Sequence, residues 1–314
     1  MSGPLHVQIA LDHPMASVYR AVTDEAALAT WFAEHTEVRL AEKRYDFWGR
    51  FTPDCPDRVA GRHPIEEPLA TSRIRYEWPL RDTSSSVEMR LLERNERTYL
   101  GVWHHDIPES LRGSPDSFAM EDFWFLSLEN LRRYLAGRPV IRCDFSAIGA
   151  TNQINHTVEI DAPVSAVWDV LITPAQLDRW IASRAHVDLQ KGGEWNLGWM
   201  EEARLEILSL SPEKALSVRW DIGETPTVLT WTLEGSGGKT RLTLVHSGFA
   251  PDARVDGLEA GWLNFMSWLK SAVEFGPDWI PTLKEITIAA SVYYAASIWE
   301  HQDELISRDD SIWG

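Results

Sequence analysis

Two histidines hold matching places in this chain. Each ends a strand-like alternation near the close of one half: Leu100, Val102 and His104 in the first, Leu242, Leu244 and His246 in the second. Alternate residues of a strand share a face, so both histidines point inward with leucine and valine. Imidazole titrates near neutrality and can act as an acid, a base or a hydrogen-bond partner. An inward histidine satisfied by its own chain is the alternative reading. His104-His105-Asp106 has the composition of a metal cluster, but adjacent strand residues face opposite ways. Two ligands are too few for zinc, so no metal or other cofactor is expected. GxSxG, HExxH and CxxC motifs are absent, and no nucleophile–base pair can be assembled, so no catalytic residue is assigned.

The histidines lie in tryptophan-rich surroundings, since the chain carries 16 tryptophans in 314 residues. A cavity lined by Trp, Leu and Met with one inward His suits an apolar molecule with one polar handle. In the second half the candidate lining is Trp180, Trp195, Trp220, Trp231, Leu244 and His246, with Trp262, Phe265, Met266 and Leu269 from a closing helix. In the first half it is Trp31, Trp78, His104 and Trp124. The second half is the better candidate for a site.

The matching places reflect an internal duplication. The stretch Val158–Ile181 repeats Val7–Phe32 with a constant offset of 149, seen in Asp12/Asp161, Pro14/Pro163, Val18/Val167, Leu28/Leu177 and Trp31/Trp180. Each copy reads as a strand, a helix with proline in its first turn, and a second short helix closed by tryptophan. Asp12 and Asp161 are expected to cap the helices. The last strands align at an offset of 142 and the closing helices at 138, Trp124 with Trp262. The 11 extra residues of the first half belong in its Pro-rich run, Arg50–Ala70, expected to be loop and poorly formed edge strand.

Between the opening helices and the closing helix each half shows a run of antiparallel strand patterns joined by turn residues. This predicts an α+β architecture, a twisted sheet covered on one face by a long helix. The expected boundaries are 1–140, 151–276, and a C-terminal extension over 277–314. In the extension, Pro281 is placed to start a helix, and Ile286–Trp299 is apolar nearly all round. That suits a buried helix or a homodimer contact through Ala289, Ala290, Ala295 and Ala296.

A net charge of −17 argues against nucleic acid and anionic membranes as partners. No apolar run approaches the length of a membrane span, and the N-terminus lacks signal-peptide character. Cys55 and Cys143 read as free thiols of a cytoplasmic protein.

The wording of the second half resembles the SRPBCC (START-like, helix-grip) superfamily, and within it the C-terminal-domain-like family of activators of heat-shock protein 90 ATPase. The residues that carry this are Val158–Pro163, Val167-Trp168, Ile172-Thr173-Pro174, Lys191–Trp195, Leu244–Phe249 and Trp262. The first half departs from it at Lys43-Arg44, which stand where the second has Gly192-Gly193, so its hairpin is expected to differ. The resemblance implies two tandem helix-grip domains. It implies a cavity that binds a hydrophobic or amphipathic small molecule without catalysis. A polyketide-type cyclase using a cavity histidine and a chaperone-associated interaction module are its other implied roles.

Overall fold

The computed structural model describes residues 3–66, 72–81, 83–112, 119–198, 205–220, 225–288, 291–295 and 306–307. Two compact units emerge, one built from Met1–Ile148 and closed by Thr282–Ala296, the other from Gly149–Pro281.

The first unit runs β1 (Leu5–Leu11), α1 (Met15–Thr23), α2 (Glu25–Trp31), β2 (His35–Arg39), β3 (Arg44–Trp48), β4 (Arg73–Glu77), β5 (Ser86–Arg94), β6 (Arg97–His105) and α3 (Met120–Leu135). The second runs β7 (Ile154–Ile160), α4 (Val164–Ile172), α5 (Pro174–Leu177), β8 (His186–Val187), β9 (Trp195–Asn196), β10 (Leu205–Ser211), β11 (Ala215–Trp220), β12 (Thr227–Ser236), β13 (Lys239–Ser247) and α6 (Asp256–Phe275). The second sheet has the order β10-β11-β12-β13-β7. In the first, β4-β5-β6-β1 repeats the last four of these. Both are tandem helix-grip domains: an antiparallel sheet against one long closing helix.

The duplication extends to single hydrogen bonds. Trp31 Nε1 donates to the Ala21 carbonyl at 2.9 Å, and Trp180 Nε1 to the Val170 carbonyl at 3.2 Å. Thr98 Oγ1 donates to the His13 carbonyl, and Thr240 Oγ1 to the Ala162 carbonyl. The tryptophan bonds tie the two opening helical segments to each other, and the threonine bonds tie the loop before them to the last strand of the sheet.

Four expectations are corrected or sharpened here. Pro14 and Pro163 are the N-caps themselves, with no side-chain cap bond. Asp12 instead pairs with Arg97 at 2.6 Å. The carboxylate that does cap is Asp24, which accepts from the Ala27 N–H at the start of α2. Lys43 takes the left-handed conformation (φ 55°) that Gly192 takes in the second domain (φ 80°), so the turn survives without glycine. Among the described residues of the Pro-rich run, backbone pairing is confined to short bridges at Arg44–Pro64 and Ile65–Tyr76, the latter at the register of Ile207–Val218 in the second domain.

The largest correction concerns the C-terminus. The segment predicted as helix forms β14 (Leu283–Ile288) and β15 (Ser291–Ala295), and β14 pairs antiparallel with β1 at Val7–Lys284 and Gln8–Leu283. A short β16 (Ile306–Ser307) ends the sheet order β4-β5-β6-β1-β14-β15-β16. The small residues proposed for a helical dimer contact are therefore in strand at Ala295, while Ala289, Ala290 and Ala296 lie outside the described residues. Ile, Thr, Val and Tyr dominate 286–294, and β1 offers an open edge to pair with. His6 Nδ1 to Glu285 at 2.9 Å and the Lys284–Glu121 ion pair fasten the hairpin.

Candidate functional site

His246 stands at the centre of the second domain, fully buried between β13 and α6. Trp262 Nε1 donates to its Nδ1 at 3.0 Å. Its Nε2 lies 2.7 Å from Thr227 Oγ1, whose proton goes to the Trp220 carbonyl at 2.8 Å. A hydroxyl has one proton and an indole is donor only. The partners therefore assign the neutral tautomer: Nδ1 accepts, and Nε2–H donates to Thr227. The chain of donors runs one way, from Trp262 through His246 and Thr227 to Trp220.

The first domain builds the same relay. Trp124 Nε1 donates to His104 Nδ1 at 3.1 Å, His104 Nε2 lies 3.1 Å from Ser85 Oγ, and Ser85 donates to the Trp78 carbonyl. Trp78 also stacks on the imidazole, with ring centroids 5.4 Å apart. Ser85 and Thr227 were missed from sequence. Their separation of 142, shared with Trp78/Trp220 and His104/His246, is the signal that could have found them.

Burial holds His246 down to about 4 and His104 down to about 3, the latter helped by repulsion from His105 and Arg112. Imidazole in an unfolded chain titrates near 6.5. Below that pH the unfolded state binds a proton that the folded state refuses, so stability falls as pH falls. Each relay should cost about 1.4 kcal/mol per pH unit between pH 6.5 and its folded value. Urea unfolding of the second domain at pH 7.0, 6.0 and 5.0 checks this, with His156, also depressed by burial, acting in the same direction. A flat profile would contradict the assignment.

The other predicted lining residues fall into two groups. Trp31, Trp180 and Trp195 are structural ties: each spends its indole N–H on a carbonyl of the helix beside it, Leu171 in the case of Trp195. Trp220, Trp231, Leu244, Trp262, Met266 and Leu269 are buried together against the sheet, and Phe265 is only partly covered. Trp231 touches Trp180 and Trp262 edge to face, at 6.2 and 5.8 Å.

A cavity of about 580 Å³ opens in the first domain, on residues that sequence analysis did not select. Glu34, His35, Trp48, Arg50, Cys55 and Phe145 are among its walls. Cys55 is its buried floor and accepts from Trp78 Nε1 at 3.1 Å, so the cavity abuts the first relay. Burial pushes the Cys55 thiol up to about 12, which makes it a wall and not a nucleophile. On the rim, Glu34 takes both the guanidinium and the backbone N–H of Arg50 and is held near 2. These residues sit in the Pro-rich run and its neighbours, where no periodicity marks a face.

The two copies of this fold match the family described as Activator of Hsp90 ATPase homolog 1-like protein, over residues 12–136 and again over 161–274. The chain belongs to that family, in tandem duplication. Among solved structures it is similar to CalU16 from Micromonospora echinospora (25% identity, 40% of this chain and 76% of that one, TM-score 0.36). It is also similar to DynU16, from the dynemicin biosynthetic locus (18%, 88% and 97%, TM-score 0.34). A third is the Aha1 dimer from Colwellia psychrerythraea (19%, 40% and 97%, TM-score 0.33). A search of curated proteins finds no match. Among the described residues no helix is long and apolar enough to cross a membrane.

Proposed function

We propose that this chain binds an amphipathic small molecule without catalysing its conversion, with the first-domain cavity as a binding site. The observation that carries the reading is the cavity itself. Its volume of about 580 Å³ falls in the range of small-molecule pockets, and aromatic walls face a polar rim. The relays argue against acid–base chemistry. Both nitrogens of each histidine are committed, and both rings stay neutral well below physiological pH. Native mass spectrometry of the full-length protein, with a lipid and aromatic panel, tests the proposal. Ser146 lines the cavity and is exposed, so Ser146→Trp should plug it, abolishing ligand adducts at unchanged Tm. Adducts that persist in the plugged variant would reject the site.

A second reading follows from family membership: association with a heat-shock protein 90 type chaperone. An ATPase assay with the purified chaperone distinguishes it, since a pure ligand carrier leaves the rate unchanged.

A further inference from the structure

We infer that the molecule held in the first-domain cavity is an organic cation, an aromatic body carrying one ammonium group. This rests on the reading of that cavity as a ligand site and names the class of ligand it takes.

The aromatic body follows from the walls. His35 and Trp48 are register partners across the β2–β3 pair and stack with ring centroids 5.5 Å apart, 29° from parallel. Phe145 and the buried Cys55 add apolar lining. A cavity of about 580 Å³ has room for a fused pair of rings.

The charge follows from what the rim leaves over. Two guanidiniums line the cavity, and both are spent. Arg50 holds Glu34 at 2.7 Å and reaches Asp144 at 3.9 Å, while Arg58 is paired with Glu37. An anionic ligand would have to displace a carboxylate to reach either one. Two other carboxylates remain on the lining. Asp54 has Arg81 as a distant partner at 3.9 Å. Asp57 has no cationic partner among the described residues. Its Oδ1 accepts from the backbone N–H groups of Val59 at 2.8 Å and Ala60 at 3.1 Å. Those N–H groups, Ala60 foremost, hold the carboxyl below its usual range, so it is ionised at neutral pH. They orient the charge without cancelling it.

An ammonium group answers that charge, and a neutral or anionic head does not. The net charge of −17 draws cations toward the same mouth. The aromatic walls then receive the apolar body.

The test compares three naphthalene probes on the full-length protein by calorimetry at neutral pH: naphthylmethylamine, naphthylmethanol and naphthoate. The amine should bind about fivefold more tightly than the alcohol, the upper range for one solvent-facing ion pair. The carboxylate should bind more weakly than both. Raising salt from about 20 to about 200 mM should narrow the amine's advantage. Asp57→Asn keeps the oxygen that caps Val59 and Ala60, and should lower amine binding to the level of the alcohol while leaving the alcohol unmoved. Asp54→Asn is the second variant, with a smaller loss because Arg81 already shares that charge. Ser146→Trp should abolish binding of all three. Equal affinity for amine and alcohol, a tighter carboxylate, or a preference that survives both asparagine variants would overturn the inference and leave the cavity standing as a ligand site. Failure of all three probes to bind, or binding untouched by Ser146→Trp, would overturn the site and the inference with it.

Discussion

Replacing His246 with alanine should destabilise the second domain by about 3–5 kcal/mol, the range of a large-to-small core substitution that also strands polar partners. The ring removed is fully buried, so the site collapses only in part. Trp262 Nε1 loses its acceptor and Thr227 its donor, both in the dry interior. His104→Ala should do the same to the first domain through Trp124 and Ser85. Thr227→Val is the milder companion, with an expected cost of about 1–2 kcal/mol, because it takes the acceptor from Nε2–H and the hydroxyl donor from the Trp220 carbonyl but removes no ring. Urea unfolding of each variant, followed by near-ultraviolet circular dichroism, gives the measurement. A catalytic histidine would show the opposite pattern, with activity lost and stability kept. A loss below about 1 kcal/mol for His246→Ala would mean the relay is dispensable.

Ending the chain after Pro281 should cost the first domain at least about 2 kcal/mol and leave the second domain unchanged. The truncation removes the strand paired with β1 at Val7 and Gln8. It also takes away Glu285, the carboxylate bonded to His6, a residue 1% exposed in the intact chain. A buried polar group that loses its partner accounts for about 1–3 kcal/mol alone. The bared β1 edge should then pair between copies. Light scattering should show concentration-dependent association that the full chain lacks. A monomeric truncated protein of unchanged stability would contradict the pairing.

The fold was legible because its signals are redundant. Val18 and Val167, Trp31 and Trp180, and His104 and His246 carry the same periodicity twice, and each copy checks the other. The relay was half legible. Alternation turned both histidines inward, but Ser85 and Thr227 lie in the neighbouring strand's approach, where a small hydroxyl leaves no periodic mark. The C-terminal strands were misread for a definite reason. A short run that is apolar nearly all round has no period to separate helix from strand. The deciding influence, a sheet edge supplied by β1 nearly 280 residues earlier, is invisible to local pattern. The cavity walls escaped because the backbone from Gly49 to Arg58 is irregular, and long-range packing alone brings Phe145 to it.

The hairpin at 283–295 also sets an order of events during synthesis. The first domain's own residues end at Ile148, yet the strand that covers β1 begins at Leu283. At about 5–20 residues per second, a ribosome needs roughly 7–27 s to cover that gap. For that interval the first domain stands with an open sheet edge, while the whole second domain emerges and can fold beside it. The earlier-made domain is thus completed last. Its vulnerable period is fixed by the length of its neighbour, and slow decoding across 149–281 would lengthen it.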